Sequence, residues 1–131
     1  MNIPPAVLAK IREIEAQWPE ALTTIYGPDM RIVYASANHM ESGWTQADMV
    51  GSHWTKFVPE SDYAHGKLAL EDTLLNDEST EIGVTGLTKY GQQVRMRVRG
   101  WRLQDPVSGE TYVLVRSVLL DAPVNPDDGG A

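Results

Sequence analysis

The chain contains no cysteine, which excludes disulfides, thiolate metal sites and cysteine nucleophiles together. Positive charge is scarce as well. Lys plus Arg number 11 against 18 Asp plus Glu, a formal net charge of −7, and that balance opposes binding to nucleic acid or to an anionic membrane. No apolar run approaches the ~18 residues of a membrane span, and the N-terminus lacks the basic and then apolar order of a signal peptide. Cytoplasm is the expected location. Catalytic signatures are missing too. The serines lie in no nucleophile elbow, GVTGLTKYG opens no helix and so is no phosphate loop, and Glu41, Asp48, Glu60 and Asp62 have no spacing that defines an acid and base pair. A non-enzymatic protein is expected.

What is present is one domain's worth of chain, 131 residues, with modest reserve for a single core. Its organising stretch runs from Tyr26 to Asp62. Gly27-Pro28 and Asp29 punctuate two β-branched and aromatic runs, LTTIY and RIVYA, and such punctuation predicts a hairpin of Leu22 to Tyr26 with Met30 to Ala35. After Ala35 the pattern breaks. Ser36, Ala37 and Asn38 offer capping chemistry, then Gly43 and Gly51 interrupt any helix before it grows long. A crossover made of single turns fills a sheet face loosely and tends to leave a concave space against it.

Before the hairpin, PAVLAKIREIEAQW places Val7, Leu8, Ile11, Ile14 and Trp18 at helical spacing, with prolines at its start and Pro19 at its stop. One stripe of this helix must be buried. After the crossover, Ser61 to Leu75 reads as the long internal helix, capped by Ser61 or Asp62, with Leu68, Leu75, Leu70 and Leu74 as its apolar side and Gly66 as a weak point. Asn76 to Ser79 is its exit loop. Three strands follow: Thr80 to Thr88, Gln92 to Leu103 and Glu110 to Leu120. In the second, Val94, Met96 and Val98 oppose Arg95, Arg97 and Arg99. The arginine parity ends in Trp101 and Leu103, so this outer face needs an apolar cover near its end. The last strand is apolar on both parities, as expected at the centre of a sheet. The tail APVNPDDGGA has almost nothing to bury and is expected to be disordered.

The order of the turn at Asp29, Arg31 to Tyr34, Ser36, Gly43-Trp44, Ala47 to Gly51, Phe57 and Pro59 to Asp62 resembles the PAS sensor-domain family. The turn Lys89-Tyr90-Gly91-Gln92 and the late acidic residue Asp121 are similar to that family's pattern too. The likeness runs from about Leu22 to Asp121. Ser36 departs from it, standing where the family usually has Asn. The resemblance implies a sensory domain whose leading helix packs on the outer sheet face or against a second subunit. It also implies two cofactor chemistries to weigh. Haem would take its ligand from the long helix, where His65 falls about one position early, ~100° around the helix; an exposed histidine is the competing reading. Cysteinyl-flavin photochemistry is excluded, since Trp54 stands near the required position and cysteine occurs nowhere. Non-covalent stacking of a flavin on Trp44 and Trp54 competes with their use in the core. His39 and His53 match no zinc spacing.

The expected architecture is α+β: a five-stranded antiparallel sheet with short helices and one longer helix on one face, and an amphipathic N-terminal helix. The leading helix occupies 1–19, the PAS-like domain 20–121 and the tail 122–131. The expected function is signalling through a small-molecule pocket between sheet and crossover, with Tyr34, Trp54, Tyr63, His65, Leu68, Val84, Met96 and Val115 placed on it by parity. Expected partners are a second copy, bound through the leading helix and outer sheet face, and a signalling protein. The other reading is a ligand-free interaction module whose Trp44, Trp54 and Phe57 fill the space themselves.

Overall fold

The computed structural model describes residues 3–36, 42–77 and 81–120. The expected tail 122–131, Asp121, His39, Glu41, the caps Ala37 and Asn38, and Glu78 and Ser79 of the exit loop lie outside the described residues.

Helix α1 spans Pro5–Gln17 with proline in its first turn. Strands β1 (Leu22–Tyr26) and β2 (Ile32–Ala35) form the hairpin, and a short α2 (Gln46–Met49) follows. Two 3-10 turns, Trp54–Phe57 and Glu60–Asp62, lead into α3 (Tyr63–Asn76). Strands β3 (Ile82–Leu87), β4 (Gln93–Gln104) and β5 (Thr111–Leu119) complete the sheet. The strands lie in the order β2-β1-β5-β4-β3, with every neighbouring pair antiparallel. β5 is therefore central, which is why its two faces are both apolar.

The sheet separates two compartments. On the outer face Val7, Ile11 and Ile14 of α1 pack with Ile25, Tyr112 and Leu114, and Trp101 and Leu103 join this cluster. The apolar end of the arginine parity thus finds its cover within the chain. On the same face Arg97 reaches Glu81 at 3.5 Å. Arg116, 3% exposed, reaches Glu81 at 3.3 Å and lies with its guanidinium carbon 4.2 Å from the Trp18 ring centre. The end of α1 is tied to β5 by that stacking, an attraction between a cation and the negative face of an aromatic ring.

On the inner face Ile32, Ala35 and Met49 form a second cluster with Tyr26, Trp44 and Phe57 packed against it. The crossover is held there by hydrogen bonds as much as by apolar contact. Trp44 Nε1 donates to the Leu87 carbonyl at 2.9 Å, and the Trp44 and Phe57 rings meet edge to face at 5.1 Å. Thr45 and Asp48 make a reciprocal capping box at the start of α2, which satisfies backbone donors that a helix start otherwise leaves unpaired. Gly51, at φ 89°, takes the left-handed conformation that turns the chain away from α2.

One expected cap differs. Asp62 occupies the position before α3 but makes no side-chain cap there; its Oδ2 instead accepts from the Thr85 backbone N–H at 2.8 Å. It joins the start of the helix to strand β3. The 3-10 turn entering α3 supplies hydrogen-bonded backbone of its own, and this frees the carboxylate for the sheet edge.

Asp48 links three segments, and its charge is the working part. The Thr45 backbone N–H, then Lys89 at 3.2 Å, hold its pKa below the ordinary carboxylate range. A carboxylate with a depressed folded pKa contributes stability above its unfolded value and loses that contribution as pH falls through the folded value. Asp48→Asn should therefore lower the urea midpoint at neutral pH and bring the two proteins together as the solution is acidified. Parallel midpoint curves down to acid pH would show that the charge contributes nothing.

Candidate functional site

Between the inner sheet face and the crossover lies a cavity of about 260 Å³. Its floor is built by alternation. Leu22, Thr24 and Tyr26 share the inner parity of β1, and Val115 and Ser117 share that of β5. The register sets Thr24 beside Val115 and Leu22 beside Ser117. Val98 and Met96 extend the floor across β4, and Val84 across β3.

The roof is formed by α3 and by the 3-10 turn before it. Gly66, Ala69, Leu70 and Thr73 line the cavity, a set at i, i+3, i+4 and i+7 spacing, so they share one helical face. A Cβ on Gly66 would stand 2.7 Å from Trp54 Cζ3, too close for any side chain without displacing the indole. Gly66 is therefore the seat of Trp54 rather than a mere weak point in the helix. The Trp54 ring in turn meets Tyr63 edge to face at 5.8 Å.

Among the described residues no Asp, Glu, Lys, Arg or His lines this space. Its polar groups are hydroxyls, backbone and the indole N–H groups of Trp44 and Trp54, and several are engaged, Trp44 Nε1 with the Leu87 carbonyl among them. Thr73 Oγ1 donates to the Ala69 carbonyl at 2.9 Å, and Thr88 Oγ1 accepts from the backbone of Gln92 at 3.1 Å. An apolar wall with a few hydroxyls suits an uncharged molecule, because a charge moved there would lose its hydration without gaining a partner.

Of the residues placed on the pocket by parity, Trp54, Val84, Met96 and Val115 line the cavity. Tyr34, Tyr63, His65 and Leu68 do not. Tyr34 lies on the outer face, where its hydroxyl donates to Glu15 Oε1 of α1 at 2.6 Å. The cause is a bulge: Ile25 pairs with Tyr34 but Tyr26 pairs with Ile32, so one extra residue of β2 is inserted and the parity beyond it is reversed. The Tyr34 pKa is pushed up to about 12, first by burial and then by the hydrogen bond and charge of Glu15. Tyr63 opens α3 and stays partly exposed beside Trp54. Leu68 is 63% exposed and Leu75 82%, because the helix turns Gly66, Ala69, Leu70 and Thr73 to the sheet and these two leucines away from it.

His65 points away as well, its side chain 58% exposed with Nδ1 3.8 Å from Asp62 Oδ1. The cavity therefore offers haem iron no imidazole from α3. A flavin fits no better, since no cation among the described residues stands on the wall to meet its phosphate and no thiol exists to form the adduct. His53 caps the Trp54–Phe57 turn, its ring accepting from Thr55 N–H at 3.4 Å. Among the described residues no group of three or more His, Asp or Glu could hold a metal ion, and no helix is long and apolar enough to cross a membrane.

Sequence reasoning missed Tyr26, Thr24 and Leu22 on β1, Ser117 on β5 and Thr73 on α3. For the strand residues the signal was available. Leu22, Thr24 and Tyr26 alternate, and Ser117 has the parity of Val115.

No family model and no curated protein matches the chain. Solved structures do. A PAS domain from Colwellia psychrerythraea superposes with a TM-score of 0.71 at 10% identity, covering 86% of this chain and 97% of that one. A tryptophan-to-alanine variant of the Drosophila melanogaster Cycle PAS-B domain, with bound glycerol, gives 0.66 at 9% identity over 76% and 99%. A fungal LOV domain photoreceptor gives 0.64 at 19% identity over 77% and 74%.

Proposed function

We propose that this chain, which has the PAS fold, is a sensory domain that binds a small uncharged molecule between its sheet and its crossover and passes the event to a partner protein. The observation that carries this reading is the cavity of about 260 Å³, whose wall carries no charged residue among those described. Trp44 and Phe57 fill one end by packing on each other, yet the space under α3 stays open. A concave, mostly apolar space with a few polar groups is the usual form of a small-molecule site, and this space has that form. It argues against the ligand-free interaction module in the same measure.

A signal follows only if the ligand prefers one arrangement of the packed elements over another. The short crossover turns and α3 are the elements able to shift, since α3 is held from below by small residues and the turns by a few hydrogen bonds. The proposal extends to self-association through the exposed side of α1 and the uncovered part of the outer sheet. Light scattering of the eluting protein tests that part: a monomer mass at high concentration removes it.

Ligand binding is tested with naphthalene as a neutral probe. At tenfold excess over its Kd, a ligand bound only by the folded state stabilises it by about 1.4 kcal/mol, or a few degrees in Tm. Ala69→Leu, which extends a side chain from the roof into the cavity, should abolish that shift while keeping the unliganded Tm equal or higher. A wild-type Tm indifferent to naphthalene and to other neutral ring compounds would count against the sensor reading.

A further inference from the structure

We propose that the ligand is a flat, neutral molecule of about two fused rings carrying one hydrogen-bond acceptor, which accepts a hydrogen bond from the Tyr26 phenol. This rests on the reading above and names the class of ligand and the residue that orients it. The size follows from comparison. An engineered apolar cavity of about 150 Å³ accepts benzene, and the present cavity is about 260 Å³, room for a second ring but not for a large tethered cofactor. Flatness follows from the geometry of the space, which lies between the pleated floor of β1, β5 and β4 and the small-residue face of α3.

The polar handle follows from an inventory of hydroxyls. Thr73 and Thr88 are engaged in the bonds described above. Two remain on the wall without a hydrogen bond to another described residue, those of Tyr26 and Ser117. They stand apart: Ser117 pairs with Leu22 and Val113 with Tyr26, so roughly 13 Å of strand separates them at ~3.3 Å per residue. A two-ring molecule reaches one of them. Tyr26 sits against Ile32 and Met49 at the end flanked by α2, where a ligand that displaced water from the phenol without accepting its hydrogen bond would leave a costly unpaired donor. Burial pushes its pKa well above the ordinary tyrosine value, so the phenol stays protonated and acts as a donor. A serine hydroxyl on a strand rotates to nearby carbonyls and needs a ligand less.

The test is a matched pair of probes, quinoline and naphthalene, which share shape and differ by one ring nitrogen. Affinities come from amide chemical-shift titration at neutral pH, where quinoline is uncharged, for the wild type, Tyr26→Phe and Ser117→Ala. The expected result is that Tyr26→Phe weakens quinoline about fivefold or more and leaves naphthalene unchanged, the second probe confirming that the variant is folded. Equal effects on the two probes, or a loss of quinoline preference in Ser117→Ala instead, overturn the role of Tyr26 and leave the sensor reading standing. If neither probe shifts the β1 and β5 signals, both fall.

Discussion

Ile11→Asp should remove most of the protein's stability. Ile11 is 1% exposed and lies between Val7 and Ile14 in the cluster that seats α1 on Ile25, Tyr112 and Leu114. An aspartate there must either carry an unpaired charge into an apolar site or lift the helix from the sheet. Either route costs about 4 kcal/mol or more, against a total of about 5–15 kcal/mol for a typical domain. Ile11→Ala, which only deletes volume, should cost about 2–5 kcal/mol, and Arg12→Ala on the exposed side less than about 0.5 kcal/mol. Urea unfolding followed by tryptophan fluorescence measures all three. An Ile11→Asp midpoint close to that of the wild type would mean that the helix does not pack where it is described. The apolar stripe of α1 is spent inside the chain, so this variant reads folding first; a role for α1 in self-association has to be read from substitutions on its other side.

The second large effect is expected at Gly100, in the middle of β4, where a Cβ would come 2.6 Å from Thr73 Oγ1. Thr73 cannot swing away cheaply, being 2% exposed and bonded to the Ala69 carbonyl. Gly100→Ala therefore pushes α3 off the sheet and should cost about 2 kcal/mol, the usual scale for overpacking. Thr73→Ala removes the obstructing hydroxyl, and the remaining Thr73 Cβ stands 3.5 Å from the new methyl, an ordinary contact. The double variant should accordingly be more stable than the sum of the single effects by about 1–2 kcal/mol. Additive effects in the cycle would show that α3 does not cross the sheet at this point.

The sheet was legible because its strands carry strong alternation and its turns carry glycine. The pairing of Leu22 to Tyr26 with the following run, the central position of the last strand, and the apolar cover demanded by Trp101 and Leu103 all follow from parity and composition. Tyr34 was misplaced by the same parity. A bulge inserts one residue, and nothing in Arg31 to Ala35 marks it. The inner face of α3 was misread for a different reason. Counting apolar residues favours Leu68, Leu70, Leu74 and Leu75, of which Leu70 lines the cavity, but helix and sheet approach closely here, and the rest of the face that fits is Gly66, Ala69 and Thr73. Volume decided, not hydrophobicity. Gly66 and Gly100 were the available clues, since each glycine sits where another group needs its missing side chain.

The arrangement of β5 carries one more implication. Val115 and Ser117 look into the cavity, while Leu114 and Arg116, interleaved with them, grip α1 and Trp18. A single ribbon thus serves as ceiling for one room and floor for the other, and no displacement of it is private to either. Selection for a different occupant on one side would retune the grip on the helix opposite, so the two surfaces are bound to evolve as a pair.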